Sequence, residues 1–392
     1  MKLTYKHTIS ACFIGYIVQA IINNFVPLLF ITFQNSYGIA LDQITLIVTI
    51  NFGVQLLVDF LASQFVDKIG YRTSIIIAHV CSDLGLILLT VLPEVMPPFF
   101  GILTAVIVYA IGGGLIEVLI SPIMESCPPD NKETAMSLLH SFYCWGHVGV
   151  VLISTVFFHF AGIENWKLLA LCWAVIPLAN TLIFAKTPIA PLMQEGQQGM
   201  TLGQLFRNKT FWLLMLMMVC SGASEQAVSQ WASAFAEQGL GISKTAGDLA
   251  GPMTFAICMG SARAIYGKYG HRMDLDSFMK WSSLLCILSY LLISLSPLPV
   301  LSLIGCAICG LSVGIMWPGS FSKAAVALRN GGTAMFAMLA LAGDLGCSGG
   351  PTLVGMVSEA RGGSLKAGIL AGILFPALLL LCLTLNRRKT RK

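Results

Sequence analysis

Most of this sequence consists of apolar runs that are long enough to cross a membrane. Hydrophobic residues make up 56% of the 392 residues and charged residues only 10%, which leaves too little polar surface for a soluble globule of this size. A run of about 20 apolar residues spans the bilayer core as a helix. We therefore predict an all-α membrane protein with twelve transmembrane helices, at roughly 8–32, 44–66, 73–92, 98–122, 134–160, 165–185, 210–236, 246–267, 277–296, 298–321, 332–358 and 365–386.

The basic residues indicate the orientation of these helices. The first run has no small-residue cleavage site and continues through Phe25–Phe30, so we interpret it as a retained span rather than a signal peptide. Of the 23 Lys and Arg residues, 18 fall on one side of the predicted helices and four on the other. The positive-inside rule then predicts a multi-pass protein of the cell membrane with both termini in the cytoplasm. The net charge of +5 follows from this topology and does not indicate nucleic-acid binding.

Two short patterns recur about 200 residues apart. Lys-x-Gly-x-Arg occurs at Lys68–Arg72 and again at Lys268–Arg272, and Gly114 with Pro122 matches Gly310 with Pro318. We predict two pseudo-symmetric six-helix bundles, at 1–186 and at 210–392 with its basic tail, joined by a central cytoplasmic loop at 187–209. Parallel repeats of this kind are typical of transporters.

The helix pattern and these turns resemble the major facilitator superfamily. The first turn keeps Asp67, Lys68, Gly70 and Arg72 of that superfamily's motif, and the second keeps Lys268 and Arg272, with Arg263 one turn earlier in the helix. The resemblance implies that these residues form a cytoplasmic charge latch. Simple anchoring by basic residues is the alternative, although it explains Asp67 less well.

The N-terminal half is similar to the fucose/proton symporter group of that superfamily. The similarity rests on residues of helices 1, 4 and 5: Asn23, Asn24, Gly112, Gly113, Gly114, Glu117, Pro122, Phe142 and Gly146. It implies that Glu117 couples sugar transport to protons. The sequence departs from the group at Pro27, where the symporters have an aspartate, and at His140 and Tyr143, where they have amides.

Polar side chains also share faces of the predicted helices. Helix 1 aligns Tyr16, Gln19 and Asn23, and helix 2 aligns Asn51 and Gln55 with Asp59 one turn further on. Amides that offer both donors and acceptors suit a polyhydroxylated ligand. We predict that the substrate contacts Gln19, Asn23, Asn24, Asn51, Gln55, His140 and Trp145 in this half. Hydrogen bonding between helices is the alternative.

The C-terminal half has its own polar cluster in helix 7. Glu225, Gln226, Gln230 and Trp231 fall within two turns and combine a carboxylate, amides and an aromatic face, so we predict substrate contact there too. For Trp231 the alternative is an anchor at the outer membrane interface. Asp344 lies among small residues of helix 11 and is, with Glu117, a candidate proton-coupling residue. A helix cap or polar packing is its alternative, and Arg263 is a possible counter-ion as an alternative to its place in the latch.

The missing motifs restrict the class of function. The twelve Cys are scattered through apolar runs, the one CxxC, Cys306 with Cys309, lies inside such a run, and no Walker, HExxH or GxSxG motif is present. We therefore expect no cofactor, no metal and no enzymatic activity. The prediction is a secondary transporter, monomeric in the lipid bilayer, that carries a small polar solute such as a sugar together with a proton. The alternatives are a drug or metabolite exporter, a sodium-coupled or uniport sugar carrier, and a non-transporting sensor of the same fold.

Overall fold

The computed structural model of this protein describes residues 4–127, 132–189, 200–269, 274–328 and 331–390. Within these ranges, ten helical segments are long and apolar enough to cross a membrane. Two further segments, around Thr254–Tyr269 and Gly332–Ala360, are also helical. The predicted all-α membrane fold is confirmed, and twelve spans are consistent with it. The chain divides into two compact units, Met1–Glu195 and Gly196–Lys392.

In the described part of the first unit there are six long helices, which we number α1 to α6. They are α1 at Tyr5–Tyr37, α2 at Leu41–Ile69, α3 at Tyr71–Val95, α4 at Pro98–Ser126, α5 at Lys132–Ala161 and α6 at Trp166–Lys186. Helix α1 is interrupted by a 3-10 turn at Val26–Leu29, which contains Pro27. Proline has no backbone N–H to donate, and the backbone tightens there instead of continuing as a regular α-helix.

The second unit begins with a short helix at Leu202–Arg207 and continues with α7 to α12. They are α7 at Lys209–Gly239, α8 at 244–269, α9 at Leu275–Leu295, α10 at Pro299–Ala327, α11 at Gly332–Ala360 and α12 at 365–390. Side-chain caps start three of these helices, because Asn208 Oδ1 accepts from the Thr210 N–H, Asp274 Oδ2 accepts from the Ser277 N–H and Ser364 Oγ accepts from the Ala367 N–H.

Two π-helical turns lie close together near one end of the second unit. One ends α7 at Phe235–Gly239, and the other lies in α8 at Leu249–Met253. Beside them, buried Asp248 accepts a hydrogen bond of 2.5 Å from Ser233 Oγ and pairs with Lys244 Nζ at 3.0 Å. A buried carboxylate is tolerated here because both of its oxygens have partners.

Equivalent helices pair in the same way within each unit. Helix α4 packs on α2 and α3, and α10 packs on α8 and α9; α1 packs on α5, and α7 on α11. A Cβ at Gly114 would lie 2.9 Å from the Gln55 carbonyl oxygen of α2, and one at Gly310 would collide with the Phe255 carbonyl oxygen of α8. The glycines that recur in the sequence therefore allow the same kind of close helix contact in both units.

Candidate functional site

The site of the first unit is organised around three successive glycines of α4. A Cβ at Gly112 would collide with Ser82 and the Ala78 carbonyl of α3, whereas one at Gly114 would meet the backbone of α2. Between them, a Cβ at Gly113 would lie 3.1 Å from Gln55 Oε1 and 3.3 Å from Gln19 Oε1. Because these glycines have no side chains, α2 and α3 pack directly on α4 and two amides lie over its backbone.

Glu117, one turn further along α4, belongs to a network of amides from α1 and α2. Gln19 Nε2 donates to Glu117 Oε2 at 3.2 Å and to Gln55 Oε1 at 3.0 Å. Gln55 Nε2 donates to Asn23 Oδ1 at 2.9 Å, and Asn51 Nδ2 donates to the same oxygen at 3.4 Å. The four amides are buried and Glu117 is partly exposed. The structure thus brings together five residues that the sequence placed on three separate helix faces.

Two acceptor atoms in this network are buried without a hydrogen bond. Gln19 Oε1 and Asn51 Oδ1 have no partner among the residues that the structure describes. An unsatisfied buried acceptor costs about 1–3 kcal/mol relative to its hydrated state. Both atoms are closed off from solvent, and Gln19 Oε1 lies over Gly113 of α4.

The other predicted residues of the first unit lie outside this network. Asn24 Nδ2 donates to the Ala20 carbonyl at 2.9 Å and to Tyr143 OH at 3.4 Å. His140 is exposed, with its ring 5.5 Å from the Tyr16 ring. The Trp145 side chain is also exposed, by 46%. Substrate contact by these residues remains a prediction.

Sequence reasoning missed a buried histidine in α3. His79 Nδ1 donates to the Ile75 carbonyl at 2.8 Å, because a carbonyl can only accept. Its Nε2 then accepts from Asn180 Nδ2 of α6 at 2.8 Å, and the same Nδ2 donates to the Ala11 carbonyl of α1 at 3.0 Å. This neutral histidine connects α1, α3 and α6. Single polar residues on otherwise apolar helix faces were its only sequence signal.

The site of the second unit is a buried ion pair. Arg263 of α8 donates from Nη2 to Glu225 Oε2 of α7 at 3.1 Å and from Nε to the Gly314 carbonyl of α10 at 3.3 Å. The sequence analysis assigned Arg263 to the cytoplasmic latch, and the structure places its guanidinium against α7 and α10. The pattern could not show this contact, because Arg263 and Glu225 are 38 residues apart on different helices.

The other residues predicted in α7 include two glutamines that extend this ion pair by hydrogen bonds. Gln226 Nε2 donates to Glu225 Oε1 at 3.3 Å, and Gln230 Nε2 donates to Gln226 Oε1 at 3.0 Å. Trp231 is fully buried, and its indole N–H donates to the Pro351 carbonyl of α11 at 3.0 Å. This burial excludes the alternative that Trp231 is an anchor at the membrane interface, whereas its contact with substrate stays a prediction.

Asp344 is buried in α11, in a helix that packs closely on α7. A Cβ at Gly346 would collide with the Val219 carbonyl, and one at Gly350 would lie 2.5 Å from the Ala223 carbonyl. The small residues around Asp344 therefore do allow close approach of a neighbouring helix, as the sequence indicated.

The predicted latch is only partly covered by the structure. Gly70 has a φ of +83°, which favours glycine in the turn between α2 and α3. Arg72 donates to the Phe184, Ala185 and Thr187 carbonyls at 2.8–2.9 Å, so it caps the C-terminal end of α6. The side chains of Asp67, Lys68, Lys268 and Arg272 lie outside the described residues.

The site chemistry consists of hydrogen bonding and charge. In the part of the chain that the structure describes, no three His, Cys, Asp or Glu residues are arranged to hold a metal ion. The first unit offers one carboxylate among amides, and the second offers a carboxylate that is neutralised by a guanidinium. These features and the two helical units are typical of a polytopic membrane transporter.

Comparison with known proteins identifies the family. The sequence profile of the Major Facilitator Superfamily matches residues 10–351, and the chain belongs to that superfamily. A search of curated proteins found no match.

Solved structures with similar folds include two of the fucose:proton symporter and one of a Spinster homologue. A variant of the E. coli symporter has a TM-score of 0.69 at 17% identity over 97% of this chain and 98% of that one. The symporter in the outward conformation has a TM-score of 0.68 at 16% identity, over 96% of this chain and 98% of that one. A bacterial homologue of the human lysosomal transporter Spinster, in an inward-facing and occupied conformation, has a TM-score of 0.76 at 15% identity. The match covers 98% of this chain and 97% of that one. At these identities the comparison shows the fold.

Proposed function

We propose that this protein is a secondary active transporter that carries a neutral sugar or a related polyol together with a proton by alternating access. The observation that carries the proposal is the hydrogen bond from Gln19 to Glu117 within a buried amide network. A carboxylate among buried amides can take up and release a proton, and the neighbouring amides suit the hydroxyl groups of a sugar.

The two units have different roles in this proposal. Glu117 carries the proton in the first unit. Glu225 pairs with Arg263 in the second unit, and it orients Gln226 and Gln230 toward the substrate. Asp344 is kept as a second candidate for proton coupling. Its place in a close helix contact also suits a packing role.

The remaining predictions belong to the same proposal. The protein acts as a monomer in the cell membrane with both termini in the cytoplasm, as the distribution of basic residues favours. The turns after α2 and α8 form the cytoplasmic latch, in which Gly70 shapes the turn and Arg72 joins it to the end of α6. Asp67, Lys68, Lys268 and Arg272 supply the charges of that latch.

Uptake into right-side-out vesicles that contain the full chain tests this function. A panel of radiolabelled monosaccharides and polyols is offered with an inward proton gradient, with an inward sodium gradient and with neither. We expect concentrative uptake of at least one neutral sugar that requires the proton gradient and stops when an uncoupler collapses it. Accumulation that needs sodium, or equilibration without accumulation, would instead identify a sodium-coupled carrier or a uniporter. If no member of the panel enters but hydrophobic dyes are expelled, the protein is an exporter.

A further inference from the structure

Helix α10 is interrupted at a position where its backbone lacks a donor. Its regular helix runs over Pro299–Val313 and resumes over Met316–Ala327, so Gly314 and Ile315 lie between two helical halves. In a continuous α-helix the Gly314 carbonyl would accept from the N–H of residue 318. That residue is Pro318, which has no N–H. The buried Gly314 carbonyl therefore needs a donor from outside its own helix.

Arg263 of α8 supplies this donor. Its Nε donates to the Gly314 carbonyl oxygen at 3.3 Å, while Nη2 of the same guanidinium donates to Glu225 Oε2 of α7 at 3.1 Å. Inside a membrane no water is present to replace a missing donor, so a freed carbonyl has to be satisfied by the protein. One planar group thus takes the place of a backbone N–H and also provides the counter-charge of a carboxylate.

The glycine at the interruption allows α8 to approach it. A Cβ at Gly314 would lie 2.7 Å from the Ala262 Cβ and 2.9 Å from the Met259 carbonyl oxygen. Any larger residue would push α8 away from the α10 backbone. Because Arg263 directly follows Ala262, this close contact brings its guanidinium within reach of the Gly314 carbonyl.

The first unit has the equivalent proline without the arginine. Pro122 of α4 corresponds to Pro318 at a spacing of 196 residues, and in the repeated turn motif Ser63 corresponds to Arg263. Helix α4 continues without interruption over Pro98–Ser126. The arginine therefore accompanies the interrupted helix of the second unit and does not belong to the repeated pattern.

Interrupted helices of transporters bind cations through groups of this kind. Carbonyls freed at the ends of half-helices coordinate sodium ions, and carboxylate oxygens are common ligands of such hard cations. Here a freed carbonyl and a carboxylate converge on one guanidinium. We infer that Gly314 and Glu225 form a cation site, that the tethered guanidinium of Arg263 fills it, and that it prefers a planar guanidinium ion to a spherical ion.

Filling this site with a side chain restricts cation coupling. A tethered cation does not dissociate with each transport cycle, so sodium has no place at this site while Arg263 occupies it. The preference for guanidinium follows from its fork of N–H groups, which reaches two separate acceptors, whereas sodium is a point charge. The inference goes beyond the proposed function, because it involves neither the substrate nor Glu117.

Chemical rescue by guanidinium tests the site. Arg263→Ala in the purified full chain is unfolded by heat in detergent with increasing low-millimolar guanidinium chloride. Sodium chloride and tetramethylammonium chloride are compared at the same ionic strength. We expect a saturable rise of the unfolding temperature with guanidinium alone, because a ligand that binds the folded state stabilises it. Wild type, in which the site is filled, should show no rise.

The double variant Arg263→Ala/Glu225→Gln is the matched control for this rescue. It lacks the carboxylate and should lose most of the rise. Absence of a guanidinium effect in Arg263→Ala, or an equal effect in the double variant, would overturn the site. An equal rise with sodium would show that the site recognises charge alone, and would overturn the preference for guanidinium.

Pro318→Ala tests the role of the carbonyl, since alanine returns an N–H to the position that faces the Gly314 carbonyl oxygen. The background Glu225→Gln/Arg263→Met has no unpaired charge and also serves if Arg263→Ala does not fold. We expect Pro318→Ala to raise the unfolding temperature more in this background than in wild type, because only there does the carbonyl lack the Arg263 donor.

Pro177→Ala in α6 of the first unit is the control for this comparison and should shift both backgrounds equally. Equal gains from Pro318→Ala in the two backgrounds would overturn the donor role of Arg263. These measurements use no substrate and no gradient, so their failure would leave proton-coupled uptake through Glu117 untouched.

Discussion

Arg263 Nη2 lies 3.1 Å from Glu225 Oε2, and both side chains are largely shielded from solvent, with 14% and 8% exposed. In the first unit, the Glu117 carboxylate accepts a hydrogen bond from the Gln19 amide. Removing one member of such a pair leaves the other charged and desolvated, whereas removing both together avoids that penalty.

Glu225→Gln and Arg263→Gln are each expected to lower the free energy of unfolding by about 3–5 kcal/mol. The double variant should recover most of that loss. Thermal unfolding of the purified protein in detergent measures the cycle, and Lys167→Gln, at an exposed pair with Glu94, is the control and should change little. Losses that simply add in the double variant would contradict an energetic coupling between the two charges.

Glu117→Gln should abolish concentrative uptake while the protein still folds. Glutamine fills the same volume and keeps hydrogen bonds to Gln19, but it cannot take up or release a proton. Uptake driven by a proton gradient is the measurement, and exchange of substrate at equal concentrations should persist. Glu94→Gln, which changes an exposed carboxylate in the same unit, is the matched control. Undiminished accumulation in Glu117→Gln would remove this residue from the coupling step.

Gly112→Ala should destabilise the first unit by about 1–3 kcal/mol, because the added methyl collides with α3. Gly53→Ala in α2 is the control, since a Cβ there meets no atom within 4 Å. It should be neutral or stabilise by up to about 1 kcal/mol. The difference between the two unfolding temperatures is the observable, and equal temperatures would contradict the close packing of α3 on α4.

Asn180→Ala should cost about 1–3 kcal/mol, because His79 Nε2 and the Ala11 carbonyl both lose their donor. Asn165→Ala at the exposed start of α6 is the control and should change stability by less than about 0.5 kcal/mol. Hydrogen exchange of α1 and α6 should rise in Asn180→Ala alone. If both variants unfold at the wild-type temperature, His79 does not connect these helices energetically.

The fold was more predictable than the contacts within it. Hydropathy and length identified the helices because each membrane span must satisfy its own backbone hydrogen bonds, which makes the pattern local. Helix periodicity is also a local property, so it correctly placed Gln19 with Asn23 on one helix face and Asn51 with Gln55 on another. Whether these amides contact Glu117 depends on the orientation in which α1, α2 and α4 pack together. The close contacts at Gly112, Gly113 and Gly114 determine that orientation.

Arg263 illustrates the same limit in the second unit. Its position one turn before a basic turn favoured a role at the cytoplasmic surface, since charge patterns in sequence mostly reflect topology. The long arginine side chain instead reaches Glu225 and the Gly314 carbonyl. Such reach is a property of side-chain length and neighbouring helices, and residue spacing along one helix contains no information about it.

The pairing of Arg263 with Glu225 also determines which parts of the protein respond to an electric field. Moving one elementary charge through 100 mV is worth about 2.3 kcal/mol. An intact pair has no net charge, so displacement of α7 and α8 together moves almost no charge through that field. We therefore expect any voltage sensitivity of transport to arise from charges outside this pair, such as the proposed proton carrier Glu117.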